Sequence, residues 1–125
     1  MKKIKKNYAD KSSLEIAKII SQTALDKKAE ELLILDVREL SGFTDYFVIM
    51  SGRSTRHVQG LASAVDQEMS SKRLTSSNTE GMDDGLWVLL DYNDVVVQIF
   101  YSEVRSFYDL EGLWHDAPRV EFVDE

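Results

Sequence analysis

The sequence predicts a single α+β domain in which a mixed β-sheet is packed with helices. Segments with helical and strand-like patterns alternate along 125 residues, a length that fits one domain. Apolar residues make up 43% of the chain and charged residues 30%, which is enough apolar material for an ordinary hydrophobic core. We therefore expect residues 1–125 to form one domain, with a basic N-terminal extension at 1–11 and an acidic tail at 116–125.

The first predicted elements are a helix and two strands. Ser12 and Glu15 have the spacing of a capping box, and apolar residues recur after them at helical intervals, which predicts a helix over residues 13–28. The short apolar runs Leu32–Val37 and Tyr46–Met50 predict strands, because they are rich in aliphatic and β-branched residues and are bounded by polar ones.

A second helix is predicted after Gly52, with Ser54 as its cap and an end near Lys72. Five apolar residues share one face of this helix: Val58, Leu61, Ala62, Val65 and Met69. The polar, glycine-bearing segment 75–85 predicts a loop with a short edge strand before Gly81.

The clearest local pattern is a hairpin of Leu86–Asp91 and Val95–Tyr101, joined by a tight turn at Asn93. Side chains alternate along strands, so the pairing divides the hairpin into two faces. The predicted core set is Leu86, Val88, Leu90, Tyr92, Val95, Val97, Ile99 and Tyr101. The opposite set is Trp87, Leu89, Asp91, Asp94, Val96, Gln98 and Phe100. This second set fits either a half-covered sheet face or a protein-binding surface anchored by Trp87.

A last helix is predicted from Glu103 to Trp114, with Ser102 as its cap. It would turn its apolar stripe toward the sheet: Val104, Phe107, Leu110, Leu113 and Trp114. The acidic segment after Pro118 predicts a mobile tail.

Charge is distributed unevenly around a net value of −7. Residues 1–28 hold eight lysines against three carboxylates, whereas residues 74–125 hold two arginines against twelve carboxylates. The second half should repel a phosphate backbone and attract a basic protein. The lysine-rich start, Lys2 to Lys28, leaves RNA binding by an assembly factor as a weaker alternative.

The amino-acid composition disfavours several classes of function. The chain has no cysteine and two histidines, which disfavours metal-centred and thiol chemistry, so no cofactor or metal is expected. It has no apolar run long enough to span a membrane, and its lysine-rich start lacks the apolar core of a signal peptide. A cytoplasmic protein without a membrane partner is expected.

A search for catalytic motifs gives one weak candidate. The turn Ser51–Ser54 leads from a strand into a helix, where Arg56 and backbone N–H groups could meet a phosphate. The segment matches no glycine-rich phosphate motif, and such a turn needs a small residue in any case. Asp91 and Asp94 are expected to be turn residues, and His57 a surface or capping residue. A nucleotide-binding or nucleotidyltransferase-type enzyme stays open as the alternative function.

Three ordered blocks resemble the Iojap family, the ribosomal silencing factors RsfS. The first block is Thr44–Ile49 continued by Ser51–Val58, the second is Glu80–Gly81 with Trp87–Val97, and the third is Tyr108–Trp114. The resemblance covers about Leu14 to Trp114, and its specificity comes from the order of the blocks.

The resemblance implies a nucleotidyltransferase-like fold without that superfamily's metal-binding carboxylates, and therefore no enzyme activity. It also implies binding to the large ribosomal subunit through its fourteenth ribosomal protein. A member of this family blocks joining of the small subunit and so represses translation. Family members are also linked to large-subunit biogenesis, and they self-associate when free.

The predicted docking face follows from placing the second block on the hairpin. Its residues are Trp87 as apolar anchor, together with Leu89, Asp91, Tyr92, Asp94 and Gln98. Arg56 could contact the partner or ribosomal RNA, or could pair within the fold with an acid such as Asp45. Two positions differ from the usual family residues, since Asn93 stands in place of glycine and Gln98 in place of histidine.

Overall fold

The computed structural model describes residues 8–108, 112 and 114–124. A short 3-10 turn, Tyr8–Asp10, precedes the first helix. The helices are α1 (Ser13–Asp26), α2 (Thr55–Ser71) and α3 (Ser102–Tyr108), and the strands are β1 (Glu30–Asp36), β2 (Tyr46–Gly52), β3 (Asn78–Glu80), β4 (Trp87–Asp91), β5 (Val95–Tyr101) and β6 (Arg119–Val120).

The strands form one six-stranded sheet in the order β3-β4-β5-β2-β1-β6. Strands β2 and β5 pair in parallel, and all other neighbours are antiparallel, so the predicted mixed sheet of an α+β domain is confirmed. The hairpin strands pair so that the predicted residues share each face, with Trp87 opposite Phe100 and Leu90 opposite Val97. Its turn uses Asn93 at φ 70°, a conformation that asparagine tolerates better than most residues.

Helices α1 and α2 cover one face of the sheet. The five residues predicted on one face of α2 are all buried there, because a 3.6-residue period keeps them on one side. Ser12 caps α1 by accepting a hydrogen bond from the Glu15 N–H, as predicted. The helix ends at Asp26, two residues before the predicted end, and Lys28 takes a left-handed φ of 69° in the turn to β1.

The other face of the sheet carries a smaller core, against which half-buried side chains such as Trp87 and Leu89 are packed. It consists of Leu35, Val37, Phe47, Ile49, Val96, Phe100 and Ala117. Val104 and Trp114 pack against it as predicted, and the Trp114 ring meets Phe47 edge to face at 5.0 Å between centroids. The prediction for Leu110 and Leu113 lies outside the described residues.

Two apolar side chains predicted to be in the core are instead exposed. Leu86 is 42% exposed because it precedes β4, which begins at Trp87. Phe107 is 82% exposed because, one turn after Val104, it faces a groove rather than the sheet core. Leu86 and Phe107 line that same groove.

Arg105 fixes α3 to the sheet, although the sequence pattern did not single it out. The side chain is 6% exposed, and its Nη1 donates to the Glu31 carbonyl at 2.7 Å and to the Ser51 hydroxyl at 2.9 Å. Glu31 lies in a β-bulge of β1 with φ 48°, so these bonds hold an irregular stretch of backbone.

Residues Arg119 and Val120 form a sixth strand, so the prediction of a mobile tail is wrong for residues 119–122. Strand β6 pairs with Ile34 and Leu35 of β1, and the Asp36 N–H donates to the Pro118 carbonyl at 2.8 Å. Val120 and Phe122 pack against the larger core. The C-terminal segment docks because β1 offers an unpaired edge and because Val120 and Phe122 bury apolar surface. Its charge alone had suggested that it would stay in solvent.

Candidate protein-binding face of the sheet

On the second sheet face the side chains of β3 are exposed and alternate side chains of β4 are half-buried, and we call this region the open face. It comprises Asn78 and Glu80 of β3 with Trp87, Leu89 and Asp91 of β4. Asn78 pairs with Asp91 and Glu80 with Leu89, and directly opposed residues of antiparallel strands share a face. The predicted residues of β4 are therefore brought together.

Trp87 is both packed and accessible. Its ring stacks on Phe100 at 4.9 Å between centroids with an interplanar angle of 27°, and Phe100 is fully buried. Its Nε1–H donates to the Gln98 Oε1 at 3.1 Å. The side chain is half-buried, so one side of the indole is held by the core while part of its surface remains available. An aromatic side chain held in one orientation in this way is suited to anchor a partner protein.

Gln98 lies beneath the open face rather than on it. It is 5% exposed and its amide oxygen accepts the indole hydrogen bond, so it positions Trp87. A glutamine keeps this acceptor at every pH, whereas a histidine in the same place would lose it on protonation.

Asp91 has the predicted role of a turn side chain bonded to nearby backbone, whereas Asp94 lies in the turn and bonds through its main chain. The Asp91 Oδ1 accepts from the Asn93 N–H at 2.8 Å, and the Asp94 carbonyl accepts from the N–H groups of Asp45 and Tyr46. The Asp91 side chain is half-buried on the open face and that of Asp94 is exposed. These carboxylates lie at the turn of the hairpin, away from Trp87 at the start of β4.

Tyr92 does not belong to the open face, which corrects its predicted role. Its side chain is 4% exposed within the larger core, and its hydroxyl donates to the Asp66 Oδ1 at 2.8 Å. Burial and the neighbouring carboxylate raise the pKa of this phenol above its usual value. Alternation explains the placement, since Tyr92 follows Asp91 and points to the other side.

Arg56 is exposed in the first turn of α2, the helix that packs on the far side of the sheet from the open face. The predicted pairing with Asp45 does not occur, because the Asp45 Oδ2 accepts from the Ser13 hydroxyl at 2.8 Å instead. A partner protein that lies flat on the open face therefore cannot contact Arg56 at the same time.

Glu80 and Gly81 are site residues whose role the sequence pattern missed. Glu80 adds a carboxylate beside Leu89. Gly81 has φ 84°, and a Cβ there would lie 2.0 Å from the Trp87 carbonyl oxygen, so only glycine allows the loop to approach this strand. The family resemblance could have indicated these two residues, because they open its second block. Hydrophobic periodicity could not, because it carries no information on how closely a loop approaches a strand.

The groups of the Ser51–Ser54 turn are used by the fold. The Arg53 N–H donates to the His57 Nδ1 at 3.0 Å, and the His57 Nε2 lies 2.9 Å from the Lys27 carbonyl oxygen. Since a carbonyl can only accept, the ring carries its proton on Nε2. A Cβ at Gly52 would lie 2.9 Å from the Val58 side chain. These contacts support the predicted capping role of His57.

Within the part of the chain that the structure describes, no group of three or more histidine, aspartate or glutamate side chains is arranged to hold a metal ion. The described helices also include none with the length and apolar character needed to cross a membrane.

The fold and the open face define a class: a single α+β domain with an aromatic and acidic sheet surface. The model of a family described as ribosomal silencing factor during starvation, RsfS, matches residues 10–125. The chain belongs to this RsfS family, and the resemblance drawn from the three sequence blocks is confirmed.

Similar proteins agree with this assignment. A ribosomal silencing factor RsfS of Bacillus subtilis is 41% identical over 103 residues, which are 82% of this chain and 87% of that protein. A mouse protein named mitochondrial assembly of ribosomal large subunit protein 1 is 31% identical over 91 residues, which are 70% of this chain and 40% of that protein. A crystal structure from Chromobacterium violaceum superposes with a TM-score of 0.81 at 30% identity, covering 91% of this chain and 94% of that one.

Proposed function

We propose that this protein is a ribosomal silencing factor that binds the large ribosomal subunit and sterically prevents the small subunit from joining, so that translation falls. Its place in the RsfS family supports the class of activity. The observation that carries the mode of binding is the open face, where a pre-oriented Trp87 lies in a row with Leu89 and Asp91.

The proposed contact is with a basic protein of the large subunit, its fourteenth ribosomal protein. Trp87 and Leu89 would lose water against an apolar patch of that protein, and Glu80, Asp91 and Asp94 would pair with lysine or arginine. Such pairs speed encounter more than they raise affinity. Repression then comes from exclusion, because a bound domain occupies space that the small subunit needs, and no bond is made or broken.

Further roles follow from the same contact. The name of the mouse relative supports a part in assembling large subunits, which would use the same face. Self-association of the free protein would cover the open face until a ribosome is available. Arg56, on the opposite side of the sheet, would contact ribosomal RNA outside the protein contact. A factor with these partners would work in the cytoplasm.

Co-sedimentation on sucrose gradients tests the proposal. Purified protein is mixed with isolated large subunits, small subunits and joined ribosomes at moderate salt. We expect it to sediment with large subunits alone and to lower the amount of joined ribosomes formed from added subunits. Binding to small subunits, or binding to large subunits without loss of joining, would contradict the mechanism.

No binding to any particle would overturn the proposal and favour the nucleotide-binding alternative. That alternative predicts a thermal shift with Mg²⁺ and a nucleoside triphosphate, since a ligand at 100 times its Kd stabilises the folded state by about 2.7 kcal/mol.

A further inference from the structure

A groove beside the open face separates the start of β4 from α3. It has a volume of about 610 Å³, and the floor and walls are mainly apolar and aromatic, formed by Leu86, Trp87, Tyr101, Val104 and Phe107. This volume is in the range of sites that hold a side chain together with adjoining groups of a ligand. The groove continues the open face, because Trp87 belongs to both.

The groove is negatively charged at its margin. Asp84 and Glu103 line it, and no lysine or arginine among the described residues does so. The charge of Glu103 also raises the pKa of the Tyr101 phenol above its usual value, which indicates a negative potential at that wall. Aromatic surface with flanking carboxylates is complementary to a cation that has an apolar stem.

Phe107 and Leu86 give the groove two large apolar side chains that are exposed to solvent. Phe107 is 82% exposed and Leu86 is 42% exposed, and both line the groove together with Trp87. Large apolar side chains that stay accessible together, rimmed by charge, are typical of protein contacts.

We propose that this groove is an anchor pocket for an arginine-bearing segment of the basic protein partner. The planar guanidinium would stack on the aromatic wall, and its N–H groups would meet the carboxylates of Asp84 and Glu103. Arginine fits better than lysine because its flat, weakly hydrated head both stacks and donates several hydrogen bonds. This inference rests on the proposed function for the source of the segment, and adds which chemistry the site selects.

The first test compares affinities for purified large subunits. The double variant Asp84→Asn and Glu103→Gln removes both charges while keeping size and hydrogen-bonding capacity. We expect its Kd to rise about threefold to tenfold, as two partly exposed charge pairs are lost. The control is Glu39→Gln with Glu121→Gln, which removes two exposed carboxylates that do not line the groove and should leave the Kd unchanged. Equal affinity of the groove variant and the wild type would overturn the pocket while leaving the proposed function intact.

The second test does not need the ribosome. Nα-acetyl-arginine amide and its neutral isostere Nα-acetyl-citrulline amide are titrated into the ¹⁵N-labelled full chain, and the Trp87 indole resonance is assigned with Trp87→Phe. We expect the arginine compound to shift the indole and Phe107 resonances, the citrulline compound to leave them unchanged, and the groove variant to lose the response. Equal responses to both compounds, or none, would overturn the proposal.

The two tests separate the remaining outcomes. If the wild type fails to bind large subunits, the proposed function falls, and the arginine titration alone decides the pocket. A weaker groove variant without an arginine-specific shift would mean that the carboxylates act only by attraction at a distance, which contradicts a pocket. Groove resonances that change with protein concentration and not with arginine would identify a second copy of the chain as the occupant, which also contradicts it.

Discussion

At the scale of single residues, the conformation of Trp87 is fixed by two neighbours on β5. Phe100 supports its ring from the core side, and Gln98 accepts its indole N–H at 3.1 Å. Because both supports are buried, the indole is held in one orientation before any partner arrives. Less conformational entropy is then lost on binding, which favours affinity at a small contact.

Replacing Trp87 with alanine should weaken binding to large subunits by about tenfold or more, as expected for a central aromatic anchor. The free energy of unfolding should fall by only about 1–2 kcal/mol, less than for a fully buried tryptophan, since part of the ring is already in water. Co-sedimentation and urea unfolding give the two values. A loss of stability above about 4 kcal/mol would mean that Trp87 acts as a core residue.

Tyr92→Phe is the matched control within the same hairpin. It removes the hydroxyl bonded to Asp66 and should cost about 1 kcal/mol of stability. Binding to large subunits should not change, because this side chain lies on the helical side of the sheet. Reduced binding by Tyr92→Phe would contradict the assignment of the open face.

At the scale of elements, the loop from β3 to β4 determines where β3 lies beside β4 on the open face. Gly81 brings the loop against the Trp87 carbonyl, and Gln59 of α2 donates to the carbonyls of Met82 and Asp83 at 2.8 and 3.1 Å. The loop is therefore held against both strand β4 and helix α2. These contacts fix the position of the short strand β3 at the edge of the sheet.

Gly81→Ala should lower the free energy of unfolding by more than about 2 kcal/mol, since φ 84° and a Cβ 2.0 Å from a carbonyl oxygen are both unfavourable. Gly60→Ala is its counterpart in α2, where a Cβ would meet no atom within 4 Å. That change should stabilise the protein by about 0.5–1 kcal/mol through helix propensity. Urea unfolding of both variants measures the difference, and similar values for the two would refute the close approach.

The turn before α1 is attached to the end of α2 by Tyr8. The Tyr8 hydroxyl donates to the Glu68 Oε2 at 2.7 Å, and the Tyr8 N–H donates to the Lys72 carbonyl at 3.0 Å. Burial, with the hydrogen bond to Glu68 and its charge, raises the pKa of Tyr8 to about 12. The folded state therefore holds this proton more tightly than the unfolded state does.

Tyr8→Phe should cost about 1 kcal/mol at neutral pH. The stabilisation by the Tyr8 proton is complete below the unfolded pKa of about 10 and is lost as the pH rises through about 12. The difference in free energy of unfolding between the wild type and the variant should therefore become smaller between about pH 10 and pH 12. Urea unfolding at pH 7, 10 and 11 follows it, and a constant difference would show that the hydroxyl does not stabilise the fold.

At the scale of the whole molecule, the two sides of the sheet are packed differently. Helices α1 and α2 pack on one side over the larger core, and among the described residues Val104 of α3 and Trp114 pack on the smaller core of the other. The side with the smaller core also carries carboxylates of the acidic half, including Glu80 and Asp91. The larger core therefore lies on one side, while the other side keeps half-buried apolar side chains such as Trp87 and Leu89.

Affinity for large subunits should fall about threefold to tenfold as monovalent salt rises from about 0.1 to 0.3 M at constant Mg²⁺, because screening weakens attraction between an acidic face and a basic protein. Most of the change should be in the association rate, which surface plasmon resonance resolves. Affinity that does not depend on salt would contradict acidic steering.

Much of the fold could be predicted from local pattern. The buried face of α2 and the alternation of the hairpin come from periods of 3.6 and 2 residues, which are set by backbone geometry. The turn at Asn93 and the cap at Ser12 depend on side chains that bond their own neighbours. Prediction from sequence succeeded where a residue's partner lies within a few positions.

The sequence by itself therefore determined the helices α1 and α2, the hairpin with its two faces, the acidic half and the family. Only the tertiary structure decided that Trp87 is half-buried, that Tyr92 is bonded to Asp66, that Arg105 supports β1, that β6 closes the sheet and that Phe107 lines a groove. Each of these outcomes depends on groups distant in the chain. Burial and pairing between such groups are properties of the packed molecule, because no local period specifies which segments meet.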